Sequence, residues 1–291
     1  MTSDGFIARC GMDEAGVREI QELALICAQA DGVDIKFNYG MIQNRKPEVL
    51  SDFCWYRQGK LIGYVPLDQF GSKGEITGAV HPEHRRQHIF SHLYAEAVAQ
   101  SHRLECRDLL LVSYRGSSSG TETVKTLGVK YFESEYCMRA SLAELRKVDG
   151  IEVEIREVHL HQEEEILSLS RMLSINFPAA SWGSREDLIK ELNDPDKRYW
   201  LAYLRGEVIG HIGISSGGDR ESYIRGVGIV PEWRRQGLGR QMLGALLDLL
   251  VADGASDMFE LDVATENEGA LNIYIACGFR QSNVYDYYRV E

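Results

Sequence analysis

Hydrophobic and polar positions alternate along residues 151–158, with Ile151, Val153 and Ile155 on one side and Glu152, Glu154 and Arg156 on the other. A period of two predicts a strand. The spacing lengthens to three and four over residues 163–176 and 185–193, predicting two helices. Residues 199–204, 208–214 and 222–230 predict strands separated by glycine-containing turns. Residues 238–251 predict an amphipathic helix whose buried stripe is Leu238, Met242, Ala245, Leu246, Leu249 and Leu250. A strand over 259–263, a short helix over 268–276 stopped at Gly278, and a strand over 284–290 complete the order β-α-α-β-β-β-α-β-α-β. That rhythm predicts an α/β layered domain (α+β in its segregation of strands) with a mixed sheet flanked by helices.

The chain repeats itself. Pro82-Glu83-His84-Arg85-Arg86-Gln87 returns as Pro231-Glu232-Trp233-Arg234-Arg235-Gln236. Upstream, the segment from Tyr56 to Gly63 returns from Tyr203 to Gly210, and downstream Leu127-Gly128 returns as Cys277-Gly278. A period near half the chain predicts two copies of one domain, not a solenoid. The polar stretch 141–150 divides them into 1–145 and 146–291.

Composition adds compartment and charge. The 291 residues carry a formal charge of −12, and most of the acidic surplus lies in the second half. A field of that sign repels phosphate backbones and argues against nucleic acid as a partner. No apolar run approaches the roughly 20 residues of a membrane span, and the start lacks the basic and apolar regions of a secretory leader. Six scattered cysteines without a CxxC pair predict reduced structural thiols in a cytoplasmic protein, with no metal.

The turn into the long helix carries the sharpest chemistry. From Val227-Gly228-Ile229 the chain runs through Pro231 to Arg234-Arg235-Gln236-Gly237-Leu238-Gly239-Arg240. Free N–H groups and the positive dipole end at a helix N-terminus make an anion site, and Gly237 and Gly239 allow close backbone approach. Two other phosphate motifs fail: Met242 stands where the dinucleotide fingerprint needs Gly or Ala, and no Gly-Lys-Ser/Thr follows.

With Arg234-Arg235-Gln236-Gly237-Leu238-Gly239 matching Arg/Gln-x-x-Gly-x-Gly/Ala, the sequence resembles the GNAT (Gcn5-related N-acetyltransferase) superfamily. A second block agrees: Asn267-Glu268-Gly269-Ala270, followed by Tyr274 through Gly278-Phe279. The resemblance implies two tandem domains, each with a mixed, mostly antiparallel sheet, and acetyl-CoA as cosubstrate. It implies that the backbone of Val227, Gly228 and Ile229 lies beside the pantetheine and acetyl group, with the Val227 N–H polarising the thioester carbonyl. Arg234, Arg235, Gln236, Gly237, Leu238, Gly239 and Arg240 would wrap the pyrophosphate, and Asn267 would bond the pantetheine arm. Tyr274 would protonate the departing thiolate, or stand simply as a buried helix aromatic. Asp262 falls where some members, including ribosomal-protein N-terminal acetylases, place a catalytic Glu. It would act as base directly or through water, or cap a neighbouring loop. Glu260 shares its face, and His211 reads as a satisfied structural histidine.

The first copy departs from the motif: His88 and Phe90 replace the two glycines, Val124 the tyrosine and Ser117 the asparagine. Residues 115–120 read as a flexible loop, and His81, His84, His88 and His92 as a solvated helix start, not a metal site. The expected function is therefore acetyl transfer to a primary amine of a small molecule or peptide by the second half, beside a degenerate first half. The chain would be a monomer (an internal pseudo-dimer) or a homodimer. The arrangement also resembles the mycothiol-synthase group, which would make it a thiol-biosynthesis acetyltransferase. The rival is a non-catalytic acyl-CoA sensor or scaffold. Variable segments around 172–190 and 31–50 are the expected acceptor walls.

Overall fold

Seven of the fifteen residues in the helix following the glycine turn are buried, among them Leu238, Met242, Leu246 and Leu250. Such a helix needs a sheet beneath it. The computed structural model, which describes residues 4–33, 35, 37–178, 184–217, 220–254 and 256–291, supplies one.

In chain order the first elements are β1 (Gly5–Arg9), α1 (Glu14–Asp31), α2 (Tyr39–Gln43), β2 (Asp52–Arg57), β3 (Lys60–Phe70), β4 (Lys73–Ile76) and β5 (Ala79–Val80). Then come α3 (Ile89–Arg103), β6 (Asp108–Tyr114), α4 (Ser118–Leu127) and β7 (Lys130–Ser141). The second series is β8 (Glu154–Glu157), α5 (Glu163–Asn176), α6 (Arg185–Leu192), β9 (Lys197–Leu204), β10 (Glu207–Gly217) and β11 (Glu221–Ile229). It ends with α7 (Leu238–Ala252), β12 (Met258–Ala264), α8 (Glu268–Ala276) and β13 (Arg280–Arg289).

The chain divides into two compact units, one of residues 1–134 and 283–291, the other of residues 135–282. The stretch 141–150, where the sequence suggests a division, lies inside the second unit. In the first unit β1, β2, β3 and β4 pair antiparallel in turn, β5 joins β3, and β4 runs parallel to β6. Its last strand is the C-terminal end of the chain: Tyr285–Arg289 of β13 pairs antiparallel with Tyr114–Leu110 of β6. Asp286 fastens it, accepting from Arg115 Nε at 3.1 Å and from Ser134 Oγ at 2.6 Å.

The second unit repeats the plan. β8, β9, β10 and β11 pair antiparallel, and β11 runs parallel to β12. Its closing strand is the 135–141 part of β7, paired antiparallel with β12 from Ala264↔Glu135 to Met258↔Ser141. The final strand expected to close the second copy therefore belongs to the first unit. Periodicity reports that a segment is a strand but not which sheet receives it. Unbroken burial from Tyr199 to Leu204 follows from both faces of that sheet being covered. Two local expectations also change: only 154–157 of the 151–158 strand is paired, and Ala245 and Leu249 are half-buried while Leu243, Gly244 and Leu247 are fully buried.

Candidate active site

Strands β11 and β12 stay paired for only three residues, from Glu221↔Met258 to Tyr223↔Glu260. Beyond Tyr223 the pairing ends and a gap opens between them. On its other edge β11 carries a bulge against β10: the register passes from Gly213↔Arg225 to His211↔Gly228, one extra residue on β11. Gly226 adopts φ 56° in it. Val227 and Ile229 are half-buried along this edge. Gly228 has a reason to be glycine inside the protein, since a Cβ there would meet Asn176 Nδ2 at 2.6 Å and His211 Nε2 at 2.8 Å.

The turn after β11 ends at α7. Arg235 (φ 60°) and Gly237 (φ 77°) are left-handed, and no side chain caps the helix. The first-turn N–H groups are thus left for an anion. Arg235, Gln236, Gly237 and Arg240 are exposed around that helix end, and an added Cβ at Gly237 would touch nothing within 4 Å. Two residues of the motif act differently. Arg234, also exposed, is tied back to the protein, Nε donating to Ile229 O at 2.7 Å and Nη2 to Asn176 Oδ1 at 2.8 Å. Leu238 is buried in the core, offering only backbone. Gly239 passes Ile273 so closely that a Cβ would sit 3.0 Å from its Cδ1. The open helix end and glycine-lined approach fit a CoA pyrophosphate.

At the far side of the gap, Asn267 caps α8, its Oδ1 accepting from Ala270 N at 3.2 Å, which leaves its amide nitrogen outward. Tyr274 is 6% exposed and packs edge-on against Phe279. Burial, with Cys277 adding to it, pushes its hydroxyl up to about 12, so it holds its proton at neutral pH.

Asp262 is half-buried on the sheet face opposite the Leu261 and Val263 core positions. Tyr223 OH donates to its Oδ2 at 2.8 Å. Glu260, on the same face, is buried against Arg139, whose Nε donates to Oε2 at 2.5 Å. Cys137, Glu260 and Asp262 bring donor atoms within 4.8 Å of one another. Each is held by a neighbour, Ser282 Oγ lying 3.2 Å from Cys137 Sγ, so the set reads as a hydrogen-bonded patch already carrying its own cation. Sequence reasoning missed Asn176, Tyr223 and Arg139, because their partners sit on other elements. The one usable signal was position, Asn176 ending the predicted helix.

The first unit keeps the turn, and its parallel β4–β6 pairing likewise stops short, at Ile76↔Leu111, while β6 runs on to Tyr114. Arg86 and His88 both adopt φ 60°, the same left-handed pair without the glycine. Arg85 donates Nε to Val80 O at 3.0 Å and Nη1 to Asp31 Oδ1 at 2.7 Å. Asp31 also accepts from Ser117 Oγ at 3.1 Å and Ser119 Oγ at 2.8 Å, tying the end of α1 to the start of α4. Residues 117–120 are no loose loop: Ser117 caps α4 by accepting from Gly120 N at 3.0 Å. Val124 is buried at the tyrosine position. Of the histidine series, His92 packs edge-on against Phe6 and Trp55, and His84 lies beside Arg57.

Acceptor walls expected around 172–190 lie partly outside the described residues, at 179–183, as do residues 34 and 36 of the 31–50 segment. No helix among the described residues is long and apolar enough to cross a membrane. All six cysteines are free.

Mostly antiparallel strands whose one parallel pair stops short before an uncapped helix start, in each of the two units, define the GCN5-related acyltransferase class of fold. The chain belongs to the acetyltransferase (GNAT) family, whose model matches residues 17–119 and 166–279. It is 31% identical over 106 residues to the N-alpha-acetyltransferase RimI of Mycobacterium tuberculosis, a match spanning 35% of this chain and 65% of that protein. It is 24% identical over 161 residues to an N-alpha-acetyltransferase of Sulfurisphaera tokodaii, 51% of this chain and 92% of that one. In fold it is similar to a GCN5-related N-acetyltransferase from Sphaerobacter thermophilus, with a TM-score of 0.78 at 18% identity, covering 100% of this chain and 97% of that one. It is also similar to a tandem GNAT protein from the clavulanic acid biosynthesis pathway, with a TM-score of 0.70 at 15% identity and 98% of both chains covered.

Proposed function

We propose that the second unit transfers an acetyl group from acetyl-CoA directly to a primary amine, and that the first unit is non-catalytic. The observation that supports this reading is the parting of β11 and β12 after Tyr223↔Glu260, with Asp262 bonded to Tyr223 beside it and an uncapped helix start following β11. Acetyl-CoA supplies an acyl thioester and a thiolate leaving group. The Val227 N–H, presented by the bulge, stabilises negative charge on the acyl oxygen. An amine is mostly protonated at neutral pH, and Asp262 takes the proton that must leave before attack. Tyr274 gives its proton to the thiolate. Gly237 and its neighbours, with Arg235 and Arg240, hold the pyrophosphate, and Asn267 the pantetheine arm. Six free thiols suit a cytoplasmic setting.

The acceptor is a small amine or a peptide N-terminus, and the relatives named N-alpha-acetyltransferase favour the second. CoA release followed with a thiol-reactive dye, across a panel of free-N-terminal peptides, diamines and amino sugars, tests the reading. Release with one class of amine is expected. Stoichiometric acetyl-CoA binding with no release from any amine would overturn it in favour of a sensor.

A further inference from the structure

His211 is fully buried in the second unit, on β10 opposite the bulge of β11. Its Nε2 lies 3.1 Å from Asn176 Nδ2. The Asn176 amide is oriented from its other side, because its Oδ1 accepts from Arg234 Nη2 at 2.8 Å. Its nitrogen therefore donates to the imidazole, and the proton of neutral His211 is assigned to Nδ1. Nδ1 is buried without a partner in bonding geometry, and the Gly226 backbone is a polar neighbour of the ring. Burial pushes His211 down to about 4, keeping the ring neutral at physiological pH.

These contacts form one path along the back of the bulge. Arg234 binds Ile229 O and Asn176, Asn176 binds His211, and His211 lies against Gly226 and Gly228. The pair fills the space a Cβ at Gly228 would need. A bulge is soft, since its extra residue makes no ladder hydrogen bond. Something must set the direction of its N–H groups, and an oxyanion donor acts only when aimed before the charge develops.

We infer that His211 and Asn176 are positioning residues for acyl transfer: they lock the anion-binding turn and the 226–228 bulge into one register, so that the Val227 N–H stays aimed at the acyl oxygen. The inference rests on the acetyltransferase reading of the second unit. It separates two roles within the motif. Arg235, Gly237 and Arg240 serve cosubstrate affinity, whereas Arg234, through Asn176 and His211, serves turnover.

The test compares His211→Phe, His211→Gln and Asn176→Ala in the full chain. Phe keeps the bulk and loses both nitrogens, while the Gln amide oxygen can stand where Nε2 stands and accept from Asn176 Nδ2. His211→Phe and Asn176→Ala are expected to lower kcat about tenfold or more, a fraction of the roughly 10²–10³ that an oxyanion donor is worth. The acetyl-CoA Kd should stay within about twofold, and His211→Gln should recover most of the loss. Wild-type kcat in His211→Phe, or a large rise in acetyl-CoA Kd accompanying the fall in kcat, would overturn the inference. Nitrogen-15 NMR of the histidine-labelled wild type gives a readout apart from activity. A neutral His211 with its proton on Nδ1 is expected between pH 6 and 8, and a proton on Nε2 would overturn the arrangement even if the variants fail to fold. Absence of CoA release by the wild type would sink the acetyltransferase reading itself, while the NMR result would still report on His211.

Discussion

Tyr223 donates its hydroxyl to Asp262 at 2.8 Å, from the last residue of β11 that still pairs with β12. The bond spans the point where the two strands part, so it fixes the carboxylate at the floor of the gap. Burial, and then the negative charge of Asp262, push the tyrosine well above its ordinary 10, so it remains a donor at any working pH. Asp262→Asn is expected to lower kcat for amine acetylation by about 10²-fold, the lower end of general-base contributions. Tyr223→Phe should cost less, about tenfold, because it loosens the carboxylate without removing it. Steady-state kinetics with acetyl-CoA titrated separately checks both. A loss confined to acetyl-CoA affinity would remove Asp262 from the base role.

Tyr274 offers a proton from a site that holds it up to about pH 12. Tyr274→Phe should lower turnover at saturating acetyl-CoA by about 10²-fold while leaving acetyl-CoA affinity nearly unchanged. Because burial raises its value, the acid form persists as pH rises, and no descending limb owed to this tyrosine is expected below about pH 11. A wild-type pH–rate profile falling between pH 8 and 10, with that fall absent from the Phe variant, would contradict the raised value, whereas unchanged turnover in Tyr274→Phe would contradict the acid role.

Local periodicity made the elements of the second half legible. The helices at Glu163–Asn176 and Glu268–Ala276 fall where the spacing places them, and the long helix begins at Leu238 as read. The motif turn was legible because glycine, arginine and a following apolar helix are contiguous. Two things were hidden. One was the destination of the strand around Tyr285, which pairs with β6 some 170 residues earlier, a pairing no local pattern encodes. The other was the division of labour inside the motif. Arg234 and Arg235 are adjacent, chemically identical and both exposed, yet the first is tied to Ile229 and Asn176 and the second holds a left-handed backbone. His88 shows the same limit: the sequence shows the glycine replaced, while the backbone there holds φ 60° as Gly237 holds φ 77°.

That last comparison makes Gly237 a clean target. A Cβ there meets nothing within 4 Å, and the first unit carries a histidine at the same backbone angle, so the fold tolerates a side chain at about 1–2 kcal/mol of left-handed strain. Gly237→Val should therefore leave a folded protein that has lost acetyl-CoA binding, because the side chain covers the approach to the helix end. Isothermal titration of the full chain measures it. One equivalent of residual binding would place the CoA site in the first unit.

The first unit makes a pH-dependent prediction through Asp31. Burial alone would raise this carboxylate, but hydrogen bonds from Arg85, Ser119 and Ser117, with the Arg85 charge, outweigh it and hold it below the ordinary 3.8. A carboxylate lowered in the folded state stabilises the fold fully above its unfolded value and loses that contribution as pH falls through the folded one. The tie between α1 and α4 should therefore hold from neutral pH down to about 4 and weaken below it. Hydrogen–deuterium exchange of residues 117–121 reports the tie directly. In the wild type their protection should drop as pH is lowered from 5 to 3, after correction for intrinsic exchange. In Asp31→Asn, protection should already be reduced at pH 7 and change little over the same range. Equal protection in the two proteins at pH 7 would show that Arg85 and Asp31 do not hold the start of α4.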